Sequence, residues 1–190
     1  MKTTNIMIVG VGGQGSLLAS KLLGHLLVNE GYDVKVSEVH GMSQRGGSVV
    51  TYVRYGDRVA SPIICDGEAD FIVSFEKLEA ARYVSCLKKE GRIIVNSQQI
   101  DPMPVITGAA TYPEAVLDRL KETGVQIDEL DALTLAEAAG TSKAVNLVLM
   151  GRLSRYFTDI SEEKWLSAIE ACVKPKFVEI NKKAFLSGRT

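Results

Sequence analysis

The chain has 190 residues, 46% hydrophobic and 24% charged, the balance of an ordinary globular protein long enough to build a core without disulfide or metal staples. Twenty-two basic against 23 acidic residues leave a net charge of −1, which argues against a nucleic-acid-binding protein and its basic footprint. No apolar run reaches the roughly 18 residues of a membrane span, and MKTTNIMIVGVGG runs into a glycine turn without a signal-peptide layout. Cys65, Cys86 and Cys172 are scattered and form no CxxC, so they read neither as a zinc site nor as an iron–sulfur run. The expectation is a cytoplasmic chain with no nucleic-acid or membrane partner and no metal of its own.

In chain order, Asn5–Gly10 is a β-branched apolar run that ends in glycine. Ser16–Glu30 then sets Leu18, Ala19, Leu22, Leu23, Leu26 and Leu27 at helical spacing, with His25 at the edge of the stripe as a packed or solvated residue. Gly31 ends that helix and Asp33–Ser37 is a strand, so the opening predicts a β-α-β unit with a parallel strand pair. Ser48–Tyr55, the Gly56-Asp57 pair and Arg58–Ser61 predict a hairpin. Phe71–Ser74 and Arg92–Val95 are buried strands separated by a helical Lys77–Lys88. Met103–Thr107 reads as a short strand, Thr111–Lys121 as a helix opened by Thr111 and Pro113, and Val125–Ile127 as a last strand. Leu133–Ala139 and Lys143–Phe157 are helices split by Gly140, and Ser161 with Glu162 and Glu163 opens a final helix. The basic residues Lys174, Lys176, Lys182, Lys183 and Arg189 read as a solvated helix face. The fold predicted is a single α/β domain over residues 1–190. It is a Rossmann-like three-layer sandwich with a mostly parallel sheet, a β-hairpin insertion and C-terminal helices.

Gly10, Gly12 and Gly15 satisfy G-x-G-x-x-G between a strand and a helix. Such a turn exposes N–H groups that favour a phosphate or carboxylate, or it serves close strand–helix packing. Glu38 stands where a dinucleotide-binding fold carries its ribose acid. The string after it, Val39 through Gly47 with His40, Gln44, Arg45, Gly46 and Gly47, is dense in hydrogen-bonding groups and unlike a dehydrogenase strand end. Parallel strands would bring Gly12–Gly15, Glu38–Gly47, Ser74–Glu76 and Asn96–Gln98 to one edge, where open α/β sheets bind ligands. A P-loop lysine, a nucleophile elbow and a metal-spaced histidine pair are all missing from the sequence, which reads as part of an enzyme.

GVGGQGSLLASKLL, SEVHGMSQRGGSVVTYVRYGD, SFEKLEAARYV and KAVNLVLMGRLSRYF resemble the small subunit of the 2-oxoacid:ferredoxin oxidoreductases over nearly the whole chain, with HGMSQRGG pointing to the indolepyruvate type and its beta subunit. That resemblance implies oxidative decarboxylation of an arylpyruvate with coenzyme A, giving an acyl-CoA, CO2 and reduced ferredoxin. It implies a large alpha subunit that carries thiamine diphosphate, Mg and [4Fe–4S] clusters, none of which this chain would bind alone. By motif, Gly12, Gly13, Gln14 and Gly15 would form the turn, and Glu38 with Arg45, Gly46 and Gly47 the loop facing the active site. Glu76 is a further carry-over, and Arg45 is the candidate for catalysis, with no established catalytic residue to transfer. Two other readings remain: an adenylating enzyme of the ubiquitin-activating type, which would want more acids and a zinc-binding cysteine pair, and a free-standing nucleotide-binding module.

Overall fold

A computed structural model of the chain describes residues 3–39 and 47–190. In β1 (Thr4–Val11), Ile6 and Ile8 alternate with Met7 and Val9, and all four are fully buried, so the strand belongs in a sheet covered on both faces. Strands β2 (Asp33–Glu38), β3 (Ser48–Gly56), β4 (Ala69–Ser74), β5 (Leu87–Asn96) and β6 (Gln126–Leu130) complete a six-stranded sheet of order β2-β3-β1-β4-β5-β6. β1, β4, β5 and β6 are parallel, whereas β3 runs antiparallel to both β1 and β2.

The Ile6/Ile8 face is covered by α1 (Ser16–Asn29), α5 (Ala132–Ala139), α6 (Val145–Ser154), α7 (Glu162–Cys172) and α8 (Val178–Arg189), with Leu23, Leu27, Leu149, Trp165 and Phe185 fully buried among them. The Met7/Val9 face carries α2 (Lys77–Arg82) and α4 (Val116–Glu122) through Ala80, Leu117 and Leu120. The three-layer α/β architecture is therefore as the sequence predicts. Among the described residues no helix is long and apolar enough to cross a membrane.

Several local expectations are corrected. β1 and β2 are not paired, because β3 stands between them. β3 buries Val53 on one face and Val50 on the other, while no residue of β2, which carries Lys35 and Glu38, is fully buried. The two-sided apolar strand takes the inside and the charged one takes the edge. The hairpin is accordingly β2–β3, and Arg58–Ser61 is no strand. Its polar groups go to side chains instead: Arg54 donates to the carbonyls of Ser61 (3.1 Å) and Ile63 (2.6 Å), and Asp33 accepts from the Val59 N–H at 2.8 Å.

Met103–Thr107 is not a strand: Met103–Ile106 forms a single turn, α3, begun after Pro102 and closed by the Thr107 hydroxyl on the Met103 carbonyl at 3.0 Å. The helix expected from Lys77 to Lys88 stops at Arg82, and β5 already begins at Leu87. The helix expected from Thr111 begins only at Val116, after Ala115 in the left-handed conformation (φ 50°). Ser161 precedes α7 without a side-chain cap, though Glu162 and Glu163 do sit in its first turn, and α8 follows it as the last helix. The basic residues of that last helix are not simply solvated. Lys182 pairs with Glu170, Lys183 donates to the Ala138 carbonyl at 3.2 Å, and Arg189 donates to the Ser154 hydroxyl at 2.7 Å. His25 is exposed beside Asn29, at 3.0 Å.

Candidate functional site

The turn between β1 and α1 is built by packing first. Gln14 folds back so that its Oε1 accepts from the Val11 N–H at 2.7 Å, while its Nε2 donates to the Phe75 carbonyl at 3.2 Å. A Cβ on Gly10 would stand 2.9 Å from Gln14 Oε1 and 3.0 Å from Phe75 Cβ, so the first glycine admits that fold-back. Gly15 is left-handed (φ 87°), and a Cβ there would press within 2.8 Å of Asn146 Nδ2, which itself donates to the Gly15 carbonyl at 3.2 Å. Gly13 differs: φ is 97° and nothing lies within 4 Å of its Cβ direction. The Gly12 N–H is given to the Gly47 carbonyl at 3.0 Å, which fastens the end of the β2–β3 connection to the turn.

The carbonyl of Phe75 also accepts from Asn96 Nδ2 at 3.2 Å, and Asn96 Oδ1 accepts from the Ala132 N–H at 3.0 Å. A relay of side-chain amides thus joins β1, the segment after β4, β5 and the start of α5 along one edge. Of the segments the sequence gathers there, the relay joins the turn after β1, the residues after β4 and the end of β5; the start of α5 was not among them.

Open to that edge lies a cavity of about 350 Å³ whose walls include Gly13, Ser16, Glu38, Val39, Val49 and Thr51. Glu38 ends the edge strand and accepts from the Ser20 hydroxyl of α1 at 2.6 Å. Thr51 lies opposite Glu38 in the β2–β3 register and is fully buried, and its hydroxyl has no hydrogen-bond partner. A buried hydroxyl without a partner is costly; Thr51 helps to form the cavity wall, but its hydroxyl oxygen is sealed from solvent.

Glu76 is placed beside this edge but turned inward. It is 1% exposed and caps α2, accepting from the Glu79 N–H at 3.0 Å, from the Ile100 N–H at 3.2 Å and from the Tyr112 hydroxyl. Burial, and then the Glu76 carboxyl beside it, pushes the Tyr112 phenol well above its ordinary range. On the other flank Glu79, also buried, accepts from the hydroxyl of Ser48, the residue that follows Gly47. Of the residues singled out from sequence, Gly12, Gly13, Gln14, Gly15, Glu38 and Gly47 converge on the edge, while the Glu76 carboxyl is engaged internally. His40, Gln44, Arg45 and Gly46 lie outside the described residues. Thr51, Asn146 and Ser48 were not singled out. Thr51 is one polar residue in an apolar strand, and Asn146 is 131 residues from the glycine it supports, so neither carries a local signal.

Among the described residues no group of three or more His, Cys, Asp or Glu side chains could hold a metal ion. Cys86 donates to Asp66, and Cys172 sits at the end of α7. Among the described residues, the separated cysteines therefore do not fit an iron–sulfur cluster.

A subunit of indolepyruvate oxidoreductase, IorB, from Thermococcus kodakarensis is 45% identical over 194 aligned residues, covering 99% of this chain and 95% of its own. The gamma subunit of a keto/oxoacid ferredoxin oxidoreductase from Geobacter sulfurreducens shares the fold with a TM-score of 0.72 at 22% identity, covering 97% of this chain and 95% of its own. A 2-oxoglutarate:ferredoxin oxidoreductase from Magnetococcus marinus, described with 2-oxoglutarate, coenzyme A and succinyl-CoA bound, matches all of this chain at a TM-score of 0.72 and 19% identity, over 31% of its own chain. Neither the adenylating enzymes nor the free-standing nucleotide-binding modules are supported by these likenesses. The pattern of the pyruvate ferredoxin/flavodoxin oxidoreductases matches residues 5–190, and the chain belongs to that family.

Proposed function

We propose that this chain is the small subunit of an indolepyruvate:ferredoxin oxidoreductase and forms the coenzyme A side of its active site. The 45% identity to an indolepyruvate oxidoreductase subunit over the full chain supports the enzyme and its arylpyruvate substrate. The reaction is oxidative decarboxylation of the 2-oxoacid to an acyl-CoA and CO2, with electrons passed to ferredoxin. In this reading the large partner subunit holds thiamine diphosphate with Mg and the [4Fe–4S] clusters, which supply the decarboxylation and electron-transfer chemistry.

This chain's residues bind and orient. Gly13 leaves the backbone ahead of α1 open to a phosphate of coenzyme A, and Glu38 meets a hydroxyl group of its nucleoside in the cavity. Arg45, beside Gly46 and Gly47, offers a planar fork to a phosphate or to the substrate carboxylate. The observation that carries the site is the cavity that joins Gly13 and Ser16 at the start of α1 to Glu38 at the end of β2. Glu38→Gln in the assembled enzyme removes the charge of that acceptor at nearly constant shape. The apparent KM for coenzyme A is expected to rise about 10-fold, as for a weakened hydrogen bond to a charged group, while the KM for indolepyruvate and assembly stay as they are. An unchanged KM for coenzyme A takes the ligand out of this cavity.

A further inference from the structure

The opposite edge of the sheet carries a second cavity, of about 390 Å³. That volume falls in the roughly 300–1,000 Å³ range of small-molecule sites. Thr4, Phe71 and Gln126 on its wall stand near the starts of β1, β4 and β6, so it opens at the amino edge of the parallel strands. The eight residues of β1 separate the two edges, which sets the cavities about 20 Å apart.

Two kinds of wall meet there. One is aromatic: Tyr32 and Tyr55 pack edge-on at 5.1 Å, Phe157 stacks on Tyr55 at 6.0 Å, and Phe71 lies 5.7 Å from Tyr156. The other is charged. Strand register sets Phe71, Arg92 and Gln126 in one row across β4, β5 and β6. The Arg92 guanidinium lies over the Tyr156 ring, 4.8 Å from its centre, and donates to Gln126. Ring and amide orient the fork while using one of its five N–H groups, and no carboxylate pairs with it among the described residues. Glu90 and Asp159, both exposed on the same wall, have no hydrogen-bonding or ionic partner among the described residues either. Asp70 differs, because it accepts from the Asn5 N–H at 2.8 Å and pairs with Lys88.

We propose that this cavity binds an aromatic α-amino acid in its zwitterionic form. The open charges have both signs, two carboxylates to one guanidinium. A plain anion would answer Arg92 and meet the two acids, whereas a plain amine would leave the fork unused. An ammonium and a carboxylate on one small molecule answer both, with the bidentate contact going to Arg92. The ring of the ligand continues the aromatic wall, where offset and edge-on contacts are favourable. The site stands on its own residues and does not depend on the coenzyme A reading.

Calorimetric titration of the full chain with four probes tests it. They are L-phenylalanine, 2-phenylethylamine without the carboxylate, 3-phenylpropionate without the ammonium, and L-alanine without the ring. L-Phenylalanine is expected to bind at least 10-fold tighter than each of the others. Arg92→Met should weaken it at least 10-fold, about the loss of one charge-assisted hydrogen bond, without weakening the amine. Asp159→Asn changes an exposed side chain that holds nothing in the fold, and should weaken L-phenylalanine and the amine but spare the propionate. Glu38→Gln, in the other cavity, should change none of them. No binding of L-phenylalanine at millimolar concentration overturns the proposal. So does an amino acid that binds no tighter than the acid or the amine. Binding that survives both Arg92→Met and Asp159→Asn overturns it as well, since the ligand would then sit elsewhere.

Discussion

Gly188 of α8 lies so close to Val148 of α6 that a Cβ at position 188 would stand 1.9 Å from the Val148 carbonyl oxygen. The contact is reciprocal, since a Cβ on Gly151 would stand 1.9 Å from the carbonyl of Phe185. The neighbours are backbone, which cannot step aside as a side-chain tip can. Gly188→Ala must therefore push the last helix off α6 and is expected to cost about 3 kcal/mol or more, the upper range for overpacking. Urea unfolding of the purified chain measures it, and a loss below about 1 kcal/mol would show that the helices slide apart freely.

Gly24, in the middle of α1, is the opposite case. A Cβ there would meet only Val36 Cγ2, at an ordinary 3.7 Å. Alanine removes the entropic penalty of glycine in a helix interior, so Gly24→Ala should stabilise the chain by about 0.5–1 kcal/mol. The same urea titration reads the sign.

Glu76 supplies the acceptor for three donors: the Glu79 and Ile100 N–H groups and the Tyr112 hydroxyl. Glu76→Ala leaves all three without it, at about 1 kcal/mol each, and is expected to lower stability by about 3 kcal/mol. Glu76→Gln keeps one carbonyl oxygen and should fall between. In hydrogen exchange, the amide of Ile100 should lose protection first in both variants. Exchange there at the wild-type rate would show that the Glu76 carboxyl does not hold the Ile100 backbone.

Asp131 caps α5 and its pKa is held below the ordinary 3.8, first by the Thr134 N–H and then by the Thr134 hydroxyl. A depressed carboxyl contributes stability that is present above its unfolded value and is lost as pH falls through the folded one. Asp131→Ala should therefore cost about 1 kcal/mol near neutral pH, and the gap to wild type should close as the pH drops below the ordinary value. Parallel urea curves at pH 7 and in strong acid check this. A gap that persists unchanged in acid would mean that the cap is not the charged form.

Much of this was legible in the sequence because it is local. The alternation of Ile6 to Val9, the stripe of α1 and the glycines between them each report on neighbours a few positions away, and they place the carboxyl edge correctly. β3 was read as half of the wrong hairpin because strand pairing is a contest among distant segments. The rival at Arg58–Ser61 gives its backbone groups to the Arg54 and Asp33 side chains instead. The site divides the same way. The turn glycines and Glu38 announce themselves by spacing, whereas Thr51 becomes notable only once Glu38 lies opposite it. Glu76 reveals its work only when Ile100 and Tyr112 come to it.

The adjacency of β2 and β3 bears on how the molecule can vary. Neighbouring antiparallel strands can be closed by a two-residue turn, yet nine residues (39–47) stand between Glu38 and Ser48. The sheet does not need that length. Unlike a crossover, whose helix must span the sheet and share the core, this connection can be lengthened, shortened or reworded with both its ends fixed. Replacing residues 40–46 by Asn-Gly should leave the fold standing, so the wording of that stretch can change while the sheet beneath it stays as it is.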